Sequence, residues 1–159
     1  MTKIIPIIPK RNPFGSDAAL RRAINNAQDL CADDIKAQFE QTVSTWEHKP
    51  VFKVNKQGYD RRIEATGANA KIYAYVDQGT SAHVIRPRRA KRLAFSSRFT
   101  AKTKPGSLSS GAGSKGAVDT FVRFVAHPGS KARKFSSGIA RKSKSLPAAY
   151  MRRELAKVK

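Results

Sequence analysis

Leu20, Ile24, Ala27, Cys31, Ile35, Phe39, Val43 and Trp46 follow one another at steps of three or four residues. That spacing places all eight on one face of a single amphipathic helix, whereas a strand would scatter them over both faces. Ser16-Asp17 supplies an N-cap after Gly15, and Pro50 supplies a stop. The expected helix covers 16–46 and, at about 1.5 Å per residue, spans on the order of 45 Å. Arg21, Arg22, Gln28, Asp29, Lys36 and Glu40 fall on its opposite, polar face. Cys31 lies inside the apolar stripe and reads as a buried structural thiol rather than a nucleophile. As the single cysteine of the chain it excludes an internal disulfide framework and any multi-cysteine metal site.

The remaining segments alternate between β patterns and coil. Residues 1–14 combine Ile pairs with prolines, an arm that is extended or polyproline-like and packs on its own domain or a neighbouring subunit. Its apolar run is too short and too broken for a secretory signal, and no stretch approaches a membrane span. A soluble chain made in a cytoplasm is expected. Val51-Phe-Lys-Val54 and Arg61-Arg-Ile-Glu-Ala65 flank a turn containing Gly58, the pattern of a hairpin. Ile72, Tyr73, Tyr75 and Val76 form a strand or a short helix that runs into a Gly79-Thr80 break. Two apolar triplets follow, His83-Val84-Ile85 and Leu93-Ala94-Phe95, with Arg86, Pro87, Arg88, Arg89, Lys91 and Arg92 between them. They read as a β-hairpin with a basic tip.

Residues 96–119 are rich in Ser, Gly and Lys, the composition of a flexible loop, and are longer than a compact domain usually tolerates without a use. Thr120-Phe-Val-Arg-Phe-Val125 returns to the sheet and meets His127-Pro128-Gly129. There Pro at the second and Gly at the third turn position suit a type II turn. Residues 131–145 read as a basic linker interrupted by glycine, and Ser145-Leu-Pro147 opens a last helix with Tyr150, Met151, Leu155 and Val158 as its apolar points. The expected fold is α+β in one domain, 1–159. A long N-terminal helix packs on a small antiparallel sheet of about four to six strands within 51–135, with a long basic loop and a short C-terminal helix within 136–159.

Charge divides the chain. It carries 32 Lys and Arg against 11 Asp and Glu, a net charge of +21. Of these, 25 basic residues but only 5 acids lie beyond Pro50, and no acid occurs between Asp77 and Asp119. The second half is therefore built to meet something anionic: nucleic acid, a membrane surface or an acidic protein face. Arg86, Arg88, Arg89, Lys91 and Arg92 crowd one short segment. They read as a solvated tip or as a contact for phosphate or carboxylate, to both of which Arg presents a bidentate fork. No aromatic residue is interleaved with them in sequence, so base stacking at the tip is not expected.

Tyr75-Val76-Asp77-Gln78-Gly79-Thr80, then His83-Val84-Ile85-Arg86-Pro87 with Leu93-Ala94-Phe95, then Val125-Ala126-His127-Pro128-Gly129-Ser130-Lys131-Ala132 stand in an order and spacing that resemble a known pattern. It is that of the tail-completion (gene-product-ten-like) family of lambdoid long-tailed phages, proteins of the head–tail neck. Members pair an aromatic-Val-acidic-x-Gly-Thr turn with a later His-Pro-Gly-Thr-Lys turn and a closing helix. The likeness covers 71–135 and, loosely, the helix before it. This chain departs from the pattern in its long Ser/Gly/Lys loop, in Ser130 where Thr is usual, and in an added SSGIARKSKS stretch. The resemblance implies a structural virion protein assembled in the host cytoplasm. It would join tail to head within a ring of copies, a hexamer as tail layers usually are, around the DNA exit path. Its neighbours would be neck, tail-terminator or tail-tube proteins, with the exiting DNA as a further partner and no membrane. Gly79, Thr80, His127, Pro128 and Gly129 would be structural turns.

The alternative is a basic module that binds nucleic-acid phosphate without sequence preference. Catalysis has little basis. Gly111-Ala-Gly113-Ser-Lys-Gly116 matches a dinucleotide fingerprint in letters alone, since it lies in coil with no strand before it and no helix after. His48, His83 and His127 have no partner at ligand spacing. Asp77, Glu64 and Asp119 form no acid–base pair, and a nucleophile elbow is absent. No catalytic, cofactor or metal residue is assigned.

Overall fold

The computed structural model describes residues 16–109 and 111–158, so the arm at 1–14 lies outside the described residues. The elements are α1 (Asp17–Thr42), β1 (Val51–Gln57), β2 (Asp60–Thr66), α2 (Ala70–Gln78), β3 (His83–Ile85), β4 (Leu93–Phe95), β5 (Thr120–Val122), β6 (Val125–His127), α3 (Phe135–Lys142) and α4 (Leu146–Leu155). The class is α+β, with the long N-terminal helix, antiparallel pairing and short C-terminal helix expected from the sequence.

Ser16 starts α1 in an extended conformation, its Oγ accepting the Ala19 N–H at 3.2 Å, and Asp17 adds a carboxylate where the helix dipole favours one. The helix is 26 residues long and stops at Thr42, short of the expected 46. Thr42 donates its hydroxyl back to the Gln38 carbonyl at 2.8 Å, and the β-branched Thr42, Val43 and Thr45 weaken the last turn. The chain turns at Val43, which swings Trp46 toward the aromatic core. Apart from Thr42 at its end, the buried positions of α1 are small: Ala23, Ala27, Cys31 and Ala32. They allow close approach by α4, whose Tyr150 hydroxyl donates to the Asp34 carboxylate at 2.6 Å. Burial, with the Asp34 charge nearby, pushes the Cys31 thiol up, as suits an inert structural cysteine.

The expected β1–β2 hairpin forms, with strands that run further toward each other than 51–54 and 61–65 and leave only Gly58-Tyr59 as the turn, Gln57 lying opposite Asp60. Arg61 pins it to α1. Its side chain is only 6% exposed and donates to the Asp29 carboxylate, to Asn25 Oδ1 at 3.1 Å and to the Gly58 carbonyl at 2.9 Å. Lys56 reaches Asp29 Oδ2 at 2.8 Å, and these two cations, Lys56 foremost, hold the Asp29 carboxyl below its ordinary value. Asp29→Asn is expected to cost about 1–3 kcal/mol, because a nearly buried guanidinium loses its counter-charge. Folding lowers this pKa, so the contribution is complete above the ordinary carboxylate range. It is lost as pH falls through the lowered folded value. Urea unfolding of both forms at neutral and acid pH checks this, and the difference between them should shrink in acid.

Val43, Phe52, Tyr73 and Phe135 form the buried core, with Phe39, Trp46, Ile63, Val76 and Leu108 against them. Phe52 meets Tyr73 edge to face at 5.2 Å, and Trp46 lies 6.2 Å from Phe135, the tilted arrangements aromatic quadrupoles prefer. Burial pushes the Tyr73 hydroxyl up to about 12, and it is satisfied by Ser136 Oγ at 3.2 Å. The segment read as strand or short helix is helix α2, which puts Tyr73 inward on the core.

Three expectations are corrected. The triplets β3 and β4 do not pair with each other. β3 pairs with β6 (His83 opposite His127, Ile85 opposite Val125) and β4 with β5 (Leu93 opposite Val122, Phe95 opposite Thr120). Closing β3 on β4 would have crowded five cations around Pro87, which has no N–H to give, whereas 120–127 offers both triplets a partner. The strands consequently form three two-stranded ladders rather than one sheet. Second, the supposed flexible loop is tied down. Thr100 and Ser114 exchange backbone hydrogen bonds at 2.9 and 3.2 Å, Asp119 accepts from the Ser97 N–H at 2.8 Å, and Leu108 reaches the core. Third, the basic linker contains helix α3, whose Phe135 and Ile139 are almost wholly buried. Gly138 makes room there, since a Cβ on it would stand 2.9 Å from a Leu108 methyl.

Candidate interaction surface

β3 to β6 form one interrupted antiparallel ribbon. Pairing starts at Thr80 with Ser130, continues through both ladders and ends at Thr100 with Ser114. Residues 86–92 stand out from one strand where the other has only Arg123 and Phe124. The basic segment is therefore a lateral bulge rather than the tip of a hairpin.

The ribbon's root joins the two turn motifs. Thr80 and Ser130 exchange backbone hydrogen bonds at 3.1 Å each way, and their hydroxyls lie 3.1 Å apart. Gly79 and Gly129 both have positive φ, +79° and +89°, and the chain backbones meet over them. A Cβ on Gly129 would lie 2.2 Å from the Thr80 carbonyl oxygen. Gly129 has the expected positive φ, and His127 Nδ1 accepts the Gly129 N–H at 3.0 Å, but the expected chain reversal is absent: His127 pairs with His83 and Ser130 with Thr80, so Pro128-Gly129 runs on along the ribbon. His83 and His127, directly opposite across the ladder, have ring centroids 5.1 Å apart. Asp77, which sequence reasoning left without a role, ties the root to α3: it accepts the Ser136 N–H at 3.0 Å where Lys134, at φ 58°, offers no side-chain cap.

Gly129→Ala is expected to destabilise the fold by about 2 kcal/mol or more, from left-handed strain plus collision with Thr80. Gly67→Ala isolates the strain, because Gly67 has φ +83° with open space around it, and should cost about 1 kcal/mol. Equal losses in thermal melts would mean that the two turns do not pack together.

Arg86, Arg88, Arg89, Lys91 and Arg92 are all exposed, and none of the ion pairs among the described residues includes them. The Arg86 guanidinium stands 5.7 Å from the Phe124 ring centroid. Aromatic and basic side chains are thus interleaved here after all, through a partner strand more than thirty residues away. Phe121, Phe124, Phe99, Val118 and Val84 are each more than half exposed. The signal was present in Thr120-Phe-Val-Arg-Phe-Val125, whose apolar residues fall on both faces of the strand with only a narrow ribbon to cover them. Such a surface combines apolar area, open strand edges and uncompensated positive charge.

Among the described residues no three His, Cys, Asp or Glu side chains gather into a group that could hold a metal ion, and no helix is long and apolar enough to cross a membrane. The chain matches no protein-family model, no curated protein sequence and no solved structure.

Proposed function

We propose that this protein is a structural subunit of a phage neck or tail-completion layer, one of a ring of copies that joins tail to head around the DNA exit path. The ribbon carries the proposal. An isolated two-stranded ribbon is marginal in water, and this one leaves Phe121 and Phe124 exposed beside five cations that join no ion pair among the described residues. Neighbouring subunits that cover the aromatic residues and meet the charge give such an element a reason to exist. The stretches Gly79-Thr80 and Pro128-Gly129-Ser130, hydrogen-bonded to each other, support the same reading, because the resemblance to neck proteins rests on them. The six-fold ring and the neck, terminator or tube neighbours belong to this proposal.

A second reading has its own observation: Arg86 over Phe124 is a combination that also suits single-stranded nucleic acid. Titration of the purified chain against DNA at increasing salt separates the two. Sequence-independent binding with a steep salt slope, together with normal particle assembly in the protein's absence, favours the nucleic-acid module. Weak DNA binding with free heads and free tails in its absence favours the neck subunit.

A further inference from the structure

A cleft of about 560 Å³ lies between the body and both ends of the ribbon, at the Thr100 and Ser114 pair and at Ser130, apart from the basic bulge. Its floor is apolar: Trp46, Ile72 and Val76 on the body side, with Phe99 facing them from the ribbon. Four cations surround it, Lys102, Lys115, Lys131 and Arg133, against one carboxylate, Glu47. Lys115 is paired with Glu47, and Lys102 donates to the Thr45 carbonyl at 2.8 Å. The side chains of Lys131 and Arg133 make no ion pair or hydrogen bond among the described residues. Arg133 is half-buried and lines the cleft with no counter-charge paired to it among the described residues.

We infer that this cleft binds an acidic segment of a partner protein, an extended peptide that places one large apolar side chain on the Trp46–Ile72–Val76 floor and a carboxylate on Arg133 and Lys131. Charge complementarity selects the occupant. A second copy of this chain would bring its own excess of 21 positive charges to an already positive rim. A nucleobase stacked on Trp46 or Phe99 would still set ring nitrogens and carbonyls against aliphatic Ile72 and Val76, whereas a Leu or Phe side chain loses nothing there. Carboxylate and guanidinium meet in a fork geometry that also fixes the peptide's direction. The site depends on no place in a virion.

Trp46 is the only tryptophan in the chain and forms part of the floor, so its emission reports occupancy directly. The experiment titrates the full chain with the hexapeptide EDLFDE, and in parallel with KKLFKK, with oligo(dT), and by dilution of the protein alone. EDLFDE should shift Trp46 emission saturably and less so at high salt, and KKLFKK should leave it unchanged. Arg133→Gln should weaken EDLFDE binding about tenfold or more, and Lys131→Gln, at an exposed position outside the core, should weaken it severalfold. A shift with oligo(dT) but not with EDLFDE would overturn the inference in favour of nucleic acid. A shift on changing protein concentration alone would overturn it in favour of a second copy. An EDLFDE response that survives both substitutions in folded protein would overturn it outright.

Discussion

Phe135→Ala should lower the free energy of unfolding by about 3–5 kcal/mol, a large part of what a domain of this size possesses. Phe135 has no exposed surface and lies 6.2 Å from Trp46 and 6.3 Å from Tyr73, centroid to centroid. It therefore joins three elements far apart in sequence: the turn after α1, helix α2 and helix α3. Truncation removes the ring's transfer free energy and leaves a cavity that rigid aromatic neighbours cannot fill. Urea unfolding followed through Trp46 measures it, and Arg22→Ala, at an exposed position of α1, provides a reference expected within about 0.5 kcal/mol. A loss below about 1 kcal/mol for Phe135→Ala would mean that α3 does not belong to the core.

Reversing Arg88 and Arg89 to Glu should leave the fold nearly intact and, if the proposed neck role holds, abolish the joining of heads to tails. Both side chains are exposed and neither is held by an ion pair among the described residues, so the stability change should stay within about 0.5 kcal/mol. Five like charges on seven consecutive residues repel one another slightly, a burden that an anionic surface received during assembly would offset. Attraction of this kind is screened within about 8–10 Å at ordinary ionic strength, so raised salt should weaken wild-type joining in the same direction. Infectious yield, with free heads and free tails counted by electron microscopy, is the readout. Normal yield from the double reversal would show that the bulge is merely solvated.

Local signals in the sequence were enough for α1 and its Ser16 cap, the β1–β2 hairpin, the positive φ of Gly129 and the opening of the last helix at Ser145. Each is fixed by spacing, by a cap or by a turn residue close at hand. Pairing of β3 with β6 and of β4 with β5 was not legible, because a three-residue strand has too short a pattern to choose among partners, and nearness in sequence favoured the wrong one. Helix α3 was hidden by Gly138, which reads as a break but instead admits Leu108. The five basic residues of the candidate surface were visible as a run of charge. Their aromatic neighbours were not, since Phe124 meets Arg86 only through the ribbon's register. The cleft was invisible for the same reason: Trp46, Ile72, Phe99 and Arg133 come from four separate stretches of chain.

Image reconstruction of purified particles made with and without this protein tests the central claim most directly. The neck reading expects a ring of symmetric copies at the head–tail junction, with the bulge at 86–92 and the exposed aromatic residues of the ribbon covered by neighbours or facing DNA. It also expects separated heads and tails when the protein is withheld. Joined, complete particles without the protein, or a single copy lying away from the junction, would contradict it.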